Sequence, residues 1–405
     1  MNKPELVLPA GNLEKLEVAF RYGADAVYIG GKNYSLRAYA GNFTDEEMIK
    51  ALSIAQEYKK KVYVTVNIMA HNKDLANLPS YLARLNELNV DSLIISDLGV
   101  LSLANKYAPH IPKTISTQAN ITNYETALIY KELGAKRVVL AREATLEDIK
   151  LIKEKADIDV EIFIHGAMCV SYSGRCLISH YMTGRSANQG ACAHPCRYQY
   201  NLVEEKRPNE YYPIIEDEQG AYILNSRDLC LLEYIPELIK SGVDAFKIEG
   251  RMKSPLYVAS VASTYRNAID NYLQRQAAYE PNDIERWFKE LAKTATRPFT
   301  NGFIEGESEL LQDFYNERMA GRASFSGMVL ESNGNLVKIE QRSNFGIGDR
   351  LEFLLPNGDI KSLVLERLWN EDFKEIDRAR HPRQIVYVPY QEPIPEFTIL
   401  RKVGD

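Results

Sequence analysis

Short apolar runs alternate with amphipathic stretches over residues 1–275, and this alternation restricts the fold more than any other feature of the sequence. Each apolar run has the length and composition of a buried strand, and the stretch behind it has the spacing of a helix that covers a sheet. All but the last of the predicted strands are followed by such a helix. The strands are predicted at 6–10, 26–31, 61–67, 92–96, 113–118, 137–141, 160–166 and 245–250.

Eight strand–helix units predict an α/β protein built on a closed, TIM-like (β/α)8 barrel. A doubly wound open sheet is the alternative, and eight units within about 250 residues favour closure. Barrels of this kind place their active sites at the carboxyl ends of the strands, on the loops that follow them. The residues directly after each predicted strand are therefore the first candidates for function.

The pattern of the sequence changes after residue 275, and this change sets the predicted domains. A helical and extended connector is predicted over 276–320, and a small all-β, barrel-like domain over 321–405, where PNGD is a hairpin-turn signal. Within the barrel (1–275) we predict a cysteine loop over 166–196 and a β-hairpin insertion over 197–224.

The cysteines are concentrated in one part of the chain. Their spacing is C-x6-C-x15-C-x3-C-x33-C, which matches neither a zinc ribbon nor a ferredoxin motif. The stretch leaves the predicted seventh strand at its carboxyl end, so the thiols are expected at the functional end of the barrel. They are Cys169, Cys176, Cys192, Cys196 and Cys230.

Three interpretations of these cysteines compete. Disulfides are disfavoured, because no secretory signal precedes the chain and cytosolic thiols stay reduced. Inert buried cysteines would fit thiols that are scattered singly, but not a cluster beside arginines and histidines. A metal or an iron–sulfur cluster held by thiolates is favoured, with His194 as a reserve ligand, and the spacing does not choose between zinc and 4Fe–4S.

Polar and charged residues follow most of the predicted strands. His165 ends a strand and has the chemistry of an acid, a base or a hydrogen-bond donor. We predict catalytic roles for His165, Asp228 and Glu249. Lys247 is expected at the same rim.

Arginines are frequent at this rim, and their planar forks of donors fit carboxylates and phosphates. As a group they predict an anionic substrate or an RNA backbone, although any one of them could equally form a structural ion pair with a carboxylate such as Glu143. The predicted substrate-binding residues are Arg37, Asn67, Gln118, Arg142, Arg185 and Arg251.

Composition limits the class of protein. The chain has 405 residues, of which 45% are hydrophobic and 26% charged, as in an ordinary globular protein of two domains. No apolar run reaches the ~18 residues of a membrane span, and the start MNKPELVLPAG lacks the pattern of a signal peptide, so we expect a cytoplasmic protein with no membrane partner. The net charge of −6 gives no global attraction to nucleic acid, but RNA binding needs only a local basic groove.

Protease motifs are missing from the sequence. It contains no H-E-x-x-H zinc helix and no G-x-S-x-G elbow. A cysteine nucleophile paired with His165 or His194 would leave the other cysteines without a role.

Four stretches together carry a family resemblance. They are the opening ELVLPAGNLEKLEVAFRYGADAVYIG, then EIFIHGAMCVSYSGRCLIS, GRSANQGACAHPCR and NSRDLCLLEYIPELIKSGVDAFKIEGRMKSP. The sequence resembles the U32 peptidase family, the collagenase-like proteases, over residues 4–270, and the C-terminal β domain fits as well. Some members carry the label of peptidase or collagenase. Others are hydroxylation factors for RNA or quinones that hold an oxygen-sensitive 4Fe–4S cluster, and the bacterial tRNA hydroxylation branch is the most similar.

The resemblance implies a tRNA hydroxylase that converts the wobble uridine to 5-hydroxyuridine, with tRNA as partner and prephenate as a small anionic co-substrate. It also implies a 4Fe–4S cluster on Cys169, Cys176, Cys192 and Cys230, with Cys196 as the alternative ligand and zinc as the alternative metal. A metal- or cysteine-dependent peptidase is the alternative function. A scaffold or adaptor stabilised by a metal is a further one.

Overall fold

The structure is a computed structural model, and it describes residues 2–36, 41–169, 171–197, 216–217, 220–221, 226–306 and 323–404. The chain folds into two compact units. The first comprises Met1–Leu13, Asp25–Met252 and Arg297–Arg318. The second comprises Glu14–Ala24, Lys253–Thr296 and Met319–Asp405.

Parallel strands form the centre of the first unit. In chain order its strands are β1 (Glu5–Pro9), β2 (Ala26–Gly30), β3 (Lys61–Val66), β4 (Ser92–Ile95), β5 (Lys113–Ile115), β6 (Arg137–Val139), β7 (Asp159–Ala167), β8 (Glu216–Asp217), β9 (Gly220–Ala221), β10 (Asp228–Cys230), β11 (Ala245–Ile248) and β12 (Phe299–Thr300). Strands β1 to β6 each pair in parallel with the next strand, and β11 pairs in parallel with both β7 and β1. Eight strands therefore close into a barrel, which confirms the predicted fold and excludes the open sheet.

Helices separate the barrel strands along the chain, as the alternation predicts. The helices of the chain are α1 (Leu13–Arg21), α2 (Asp45–Tyr58), α3 (Asn72–Leu75), α4 (Leu78–Leu88), α5 (Leu98–Tyr107), α6 (Tyr124–Glu132), α7 (Leu146–Ala156), α8 (Ile178–Thr183), α9 (Ile235–Lys240), α10 (Pro255–Arg275) and α11 (Pro281–Ala292). Helices α2 to α9 belong to the first unit, whereas α10, α11 and nearly all of α1 belong to the second.

Local capping sets the starts of several helices. Thr44 Oγ1 accepts a hydrogen bond from Glu47 N at 3.1 Å, and the Glu47 carboxylate accepts one from Thr44 N at 2.9 Å, which is a complete capping box for α2. Asp97 Oδ1 accepts from Val100 N at 3.0 Å at the start of α5. Both caps satisfy amides that have no partner within the helix, so these helix starts are encoded locally.

Strand β10 is not among the strands predicted from the sequence. Asp228–Cys230 pairs antiparallel with the end of β7, with Cys230 opposite His165. The cause is the length of β7, which continues beyond its pairing with β6 and offers its backbone to another strand. Helix α9 then begins only at Ile235, after a 3-10 turn at Leu232–Tyr234.

Two predicted segments are covered only in part. In the predicted insertion (197–224), β8 pairs antiparallel with β9, and the remainder from residue 198 onward lies outside the described residues. In the predicted connector (276–320), residues 307–320 also lie outside them.

The second unit contains an antiparallel sheet, which confirms the predicted C-terminal all-β domain. Seven strands pair in the order β17-β16-β21-β13-β14-β20-β18, and β15 pairs with β19. The strands are β13 (Ala323–Ser332), β14 (Leu336–Gln341), β15 (Phe345–Gly346), β16 (Arg350–Leu354), β17 (Ile360–Val364), β18 (Trp369–Asn370), β19 (Arg378–Ala379), β20 (Ile385–Pro389) and β21 (Ile399–Val403).

A buried ion cluster joins helix α11 to this sheet. Arg401, which is fully buried, binds the Glu290 carboxylate through two nitrogens at 2.5 and 2.8 Å, and its Nε donates to Glu352 at 2.8 Å. Ser260 Oγ donates to Glu290 at 2.7 Å. Burial alone raises the pKa of Glu290, but Arg401 and Ser260 outweigh it and hold that pKa below its usual value of 4.5.

No helix in the described part of the chain combines the length and the apolar character needed to cross a lipid bilayer.

Candidate active site at the barrel mouth

A cavity partly open to solvent lies at the carboxyl ends of the barrel strands, with about 450 Å³ of empty space when its open mouth is included. Four of the predicted site residues line it, together with the rim residue Lys247. The four are Asn67, Gln118, Glu249 and Arg251. The structure therefore gathers at one place residues that follow three different strands of the sheet.

Strand β11 supplies the charged groups of the cavity. Lys247 lies in the strand, Glu249 and Arg251 lie in the segment directly after it, and all three line the cavity. Arg251 is only 3% exposed, and its guanidinium donates to Ser35 Oγ at 2.9 Å and to Thr65 Oγ1 at 3.4 Å. Side-chain hydroxyls thus hold this cation against the cavity wall.

The ammonium of Lys247 is held by a carboxylate inside the barrel. Its Nζ lies 2.6 Å from Glu161 Oε1, and Glu161 has no exposed surface. The same Nζ lies 4.6 Å from the centre of the Tyr28 ring, a distance at which a cation is attracted to an aromatic face. Lys247 is therefore fixed in a charged, desolvated position at the cavity.

The ion pairs continue from Glu161 towards the amino ends of the strands. Glu161 Oε2 lies 3.1 Å from Arg137, and Arg137 lies 2.8 Å from Glu5 Oε2, which also accepts from Tyr63 OH at 2.8 Å. Burial alone lowers the pKa of Arg137, but the carboxylates of Glu161 and Glu5 outweigh it and raise that pKa. Lys247, Glu161, Arg137 and Glu5 therefore form one connected chain of ion pairs in the barrel.

Two amide side chains form a wall of the cavity. Asn67 directly follows β3, and its Oδ1 accepts from Leu36 N at 3.1 Å. Gln118 lies in a 3-10 turn after β5, and its Oε1 is 3.5 Å from Asn67 Nδ2. These amides can donate to and accept from a bound molecule, which gives the site orienting contacts besides charge.

Arg142 is not among the described residues that line the cavity, and it contacts the carboxylate of the neighbouring Glu249. Its guanidinium lies 4.0 Å above the Phe163 ring, and its NH2 is 3.9 Å from Glu249 Oε2. This arrangement corresponds to the structural ion pair that the sequence analysis left open. Its effect is to hold Glu249 in place.

The remaining predicted residues lie elsewhere. His165 lies within β7, 3% exposed, with its ring 5.5 Å from that of Phe299, and Asp228 begins β10 with Arg297 at 3.6 Å. Neither is among the described residues that line the cavity. Arg185 is exposed in the cysteine loop, where its Nε donates to Ala191 O at 3.1 Å. Arg37 lies outside the described residues.

Side chains at the rim fix the cysteine loop. The Glu143 carboxylate accepts hydrogen bonds from Ser173 N at 2.8 Å and from Ser173 Oγ at 2.5 Å. Ser173 itself has a φ of +42°, in the left-handed region. Asn120 Nδ2 donates to Tyr172 O at 3.0 Å. Glu143 and Asn120, two polar residues at the rim, thus hold the cysteine loop at this end of the barrel.

The loop is also tied to itself and to the turn after β3. Asn188 Oδ1 accepts from Cys176 N at 3.2 Å, and Asn188 O accepts from Met69 N at 3.1 Å. Ser179 Oγ accepts from Ala193 N at 3.0 Å, which joins α8 to the segment between Cys192 and Cys196. The loop segments that carry these thiols are therefore packed against one another.

The five cysteines, none of which forms a disulfide, lie on segments attached to this end of the barrel. Cys169 follows β7, Cys230 ends the strand paired with β7, and the others lie in the loop between them. Thiols are suitable donors for zinc or an iron–sulfur cluster. However, no three Cys, His, Asp or Glu side chains of the described residues are grouped closely enough to hold a metal ion. The chemistry of the thiols and their location therefore fit a metal or an iron–sulfur cluster, whereas the distances between them in this structure do not. The set of ligands stays a prediction.

Sequence reasoning missed several groups that define the cavity, namely Ser35, Thr65, Tyr28 and Glu161. Glu161 carries the clearest signal of the four, because it is one carboxylate inside the apolar strand VEIFIHG. A charge in such a strand needs a buried partner. Lys247, inside the apolar run AFKIEG, is that partner.

The arrangement as a whole is a small cationic site lined with amides and aromatic rings. Ammonium and guanidinium groups fixed in a partly enclosed cavity bind carboxylates or phosphates more strongly than the same groups do in water. The site is therefore suited to a small organic anion, with Glu249 as the group beside it that can accept a proton.

Comparison with known proteins gives consistent matches over both units. The model of peptidase family U32 matches residues 11–312, and that of the family's C-terminal domain matches residues 322–401. tRNA hydroxylation protein P1 of Bacillus subtilis is 41% identical over 406 residues, covering 99% of this chain and 95% of that protein. tRNA hydroxylation protein P of Escherichia coli is 36% identical, covering 97% and 95%. A collagenase of Porphyromonas gingivalis is 33% identical, covering 76% and 75%.

Proposed function

Because this chain belongs to peptidase family U32, we propose that it is an enzyme of tRNA hydroxylation whose reaction takes place at the barrel mouth. The observation that carries the proposal is the extent of the similarity. Relatives named as tRNA hydroxylation proteins match 99% and 97% of the chain, so the likeness includes the C-terminal sheet as well as the barrel.

The reaction we propose is hydroxylation of the wobble uridine to 5-hydroxyuridine. The C5–H bond of the base is replaced by a C5–OH bond, and the base loses two electrons. A co-substrate must therefore supply the hydroxyl oxygen and accept two electrons, so that uridine and a co-substrate R–OH give 5-hydroxyuridine and R–H. We propose a small hydroxylated dicarboxylate, prephenate, in this role.

The cavity supports this choice of co-substrate through its charges. Lys247 and Arg251 would bind the carboxylates, while Asn67 and Gln118 would orient the molecule by hydrogen bonds. Glu249 would accept a proton and return it, with Arg142 holding its carboxylate in position at 3.9 Å.

A 4Fe–4S cluster on Cys169, Cys176, Cys192 and Cys230, with Cys196 as the alternative ligand, would supply one-electron transfer or an open iron site for the oxygen donor. Anaerobic purification followed by iron and sulfide analysis tests this part of the proposal by itself. We expect about four irons per chain and a visible charge-transfer band that Cys176→Ala removes. One zinc and no sulfide per chain would refute the cluster.

Nucleoside analysis of tRNA tests the reaction. A strain without this gene and without its paralogues would be complemented with the wild type, with Glu249→Gln or with the matched control Glu285→Gln, whose carboxylate is 63% exposed. We expect 5-hydroxyuridine derivatives with the wild type and the control, and none with Glu249→Gln. Normal levels in the uncomplemented strain would refute the proposal.

Peptide hydrolysis is the second candidate, because the family carries the name of a peptidase and one relative is named a collagenase. The same purified protein, assayed on gelatin and on collagen-like peptides, decides between the two. Cleavage that Glu249→Gln abolishes, together with unchanged tRNA nucleosides, would establish the hydrolase.

A further inference from the structure

Several large apolar side chains of the cysteine loop are exposed to solvent instead of packing inward. Tyr181 is 81% exposed, which is the highest value among the exposed large hydrophobic side chains of the described residues. Leu177 is 57% exposed, Tyr172 51% and Met182 50%. Exposed apolar residues gathered in one short segment indicate a binding surface, whereas single ones do not.

The charge of the same segment is opposite to that of the whole chain. No Asp or Glu occurs between Glu161 and Glu204, although the chain has a net charge of −6. The stretch contains three arginines, Arg175, Arg185 and Arg197. A positively charged segment free of carboxylates attracts a polyanion.

The local geometry places two of the exposed apolar side chains next to each other. Leu177 and Tyr181 are four residues apart at the start of α8, so their side chains are neighbours on one side of the helix. The rings of Tyr181 and His180 lie edge to face at 6.3 Å. We call the exposed surface of this loop segment the docking face, and we define it by the side chains of Tyr172, Arg175, Leu177, Tyr181 and Met182.

The docking face is attached to the wall of the cavity. The exposed Arg175 donates from its Nε to Gln118 O at 2.7 Å, and Gln118 lines the cavity. Asn120, in the same turn after β5, holds Tyr172 O at 3.0 Å. A polymer bound on the docking face therefore lies next to the barrel mouth.

We propose that the docking face binds an unpaired segment of RNA and leads one of its bases to the barrel mouth. The inference rests on the proposed function and adds the surface that holds the substrate. Tyr181 stacks on a base, and the Arg175 guanidinium binds a phosphate. Stacking requires bases outside a duplex, so the face selects the loop of a folded RNA over its stems.

Binding measurements on the full-length protein test the proposal. The probes are a fluorescent RNA hairpin with an unpaired loop and a blunt duplex with the same stem and no unpaired base. A stacked base contributes about 1–3 kcal/mol, so Tyr181→Ala should weaken hairpin binding by about fivefold to 150-fold. Tyr181→Phe keeps the ring and should bind like the wild type. Arg175→Gln should weaken binding and reduce its salt dependence.

Ile129→Ala is the matched control, because Ile129 is an exposed apolar residue (56%) on helix α6. It should bind the hairpin like the wild type. Since Tyr181 is so exposed, its substitutions should leave the thermal unfolding curve unchanged, which excludes misfolding as the cause of lost binding.

Several results would overturn the proposal. The first is that Tyr181→Ala binds the hairpin as tightly as the wild type does. The second is that the wild type binds hairpin and duplex equally well. The third is that Tyr181→Ala loses a protein that co-purifies with the wild type but still binds RNA normally. Nucleoside analysis separates this proposal from the proposed function. If tRNA of the deletion strain is normal while Tyr181→Ala loses RNA binding, the hydroxylation proposal fails and the docking face stands. If the deletion removes 5-hydroxyuridine but Tyr181→Ala binds and modifies normally, only the docking face fails.

Discussion

Neutralising Glu161 should strongly destabilise the barrel. Its carboxylate has no exposed surface and lies between two cations, 2.6 Å from Lys247 and 3.1 Å from Arg137. In Glu161→Gln the shape of the side chain is kept, but Lys247 loses its carboxylate. Arg137 keeps one buried partner, Glu5, at 2.8 Å. The variant therefore creates one uncompensated ammonium in the barrel interior.

The size of the effect follows from this count. Removing one partner of a buried ion pair costs about 3–5 kcal/mol, because the remaining charge has lost its water and gained nothing in return. One kcal/mol shifts the midpoint of thermal unfolding by about 2–4 °C for domains of 150–250 residues. The first unit is at the upper end of this size, so we expect a decrease of about 6–10 °C.

A second variant separates charge from packing. In Glu161→Gln/Lys247→Met both charges of the pair are gone, so the double variant should be more stable than Glu161→Gln alone. Urea unfolding followed by far-ultraviolet circular dichroism measures the free energies. The control Glu285→Gln breaks an exposed pair with Lys289 and should leave the free energy of unfolding nearly unchanged. A loss below about 1 kcal/mol for Glu161→Gln, or a double variant less stable than the single one, would refute the reasoning.

Three further effects are expected. Arg401→Met leaves Glu290 buried without its bidentate partner and should cost the second unit about 3–5 kcal/mol in urea unfolding; a loss below about 1 kcal/mol would contradict this. The pKa of Glu290 is lowered in the folded state, so its contribution is complete above the usual 4.5 and is lost as the pH falls through the folded-state pKa. The thermal midpoint of the wild type should therefore drop more steeply below about pH 4.5 than that of Glu290→Gln, and parallel curves would contradict the assignment. Glu143→Gln removes the charge that binds Ser173, so hydrogen exchange of the Ser173 amide should become faster, whereas an unchanged rate would show that the loop is held by other contacts.

Local sequence signals were sufficient for the barrel and for the location of its site. Strand and helix periodicity, with caps such as Thr44 and Asp97, sets each unit without reference to distant residues. The position of the site follows from topology, because parallel strands bring their carboxyl ends together. For this reason Asn67, Gln118 and Glu249 could be expected at one rim before their distances were known.

Pairings between distant segments could not be predicted in the same way. Strand β10 has three residues, too few for a recognisable period, and it exists because β7 extends past its pairing with β6. The same limit applies to His165, which was assigned to the site because it ends a predicted strand, and to Asp228, which was assigned because it follows the predicted hairpin insertion. The structure places them on these two strands, where the pairing of β10 with β7 decides their surroundings.

The buried charges show why strand ends alone do not define the site. Lys247 lines the cavity, yet its ammonium is held by Glu161, which lies on another strand and deeper in the barrel. An ammonium beside Tyr28 and Phe163 would be too costly without that carboxylate, so the charge presented to a ligand depends on a residue the ligand does not touch. A charged residue inside an apolar strand should therefore be read together with the charges on the strands next to it. Applied to VEIFIHG and AFKIEG, which form the adjacent strands β7 and β11, this rule pairs Glu161 with Lys247 from the sequence and the topology alone.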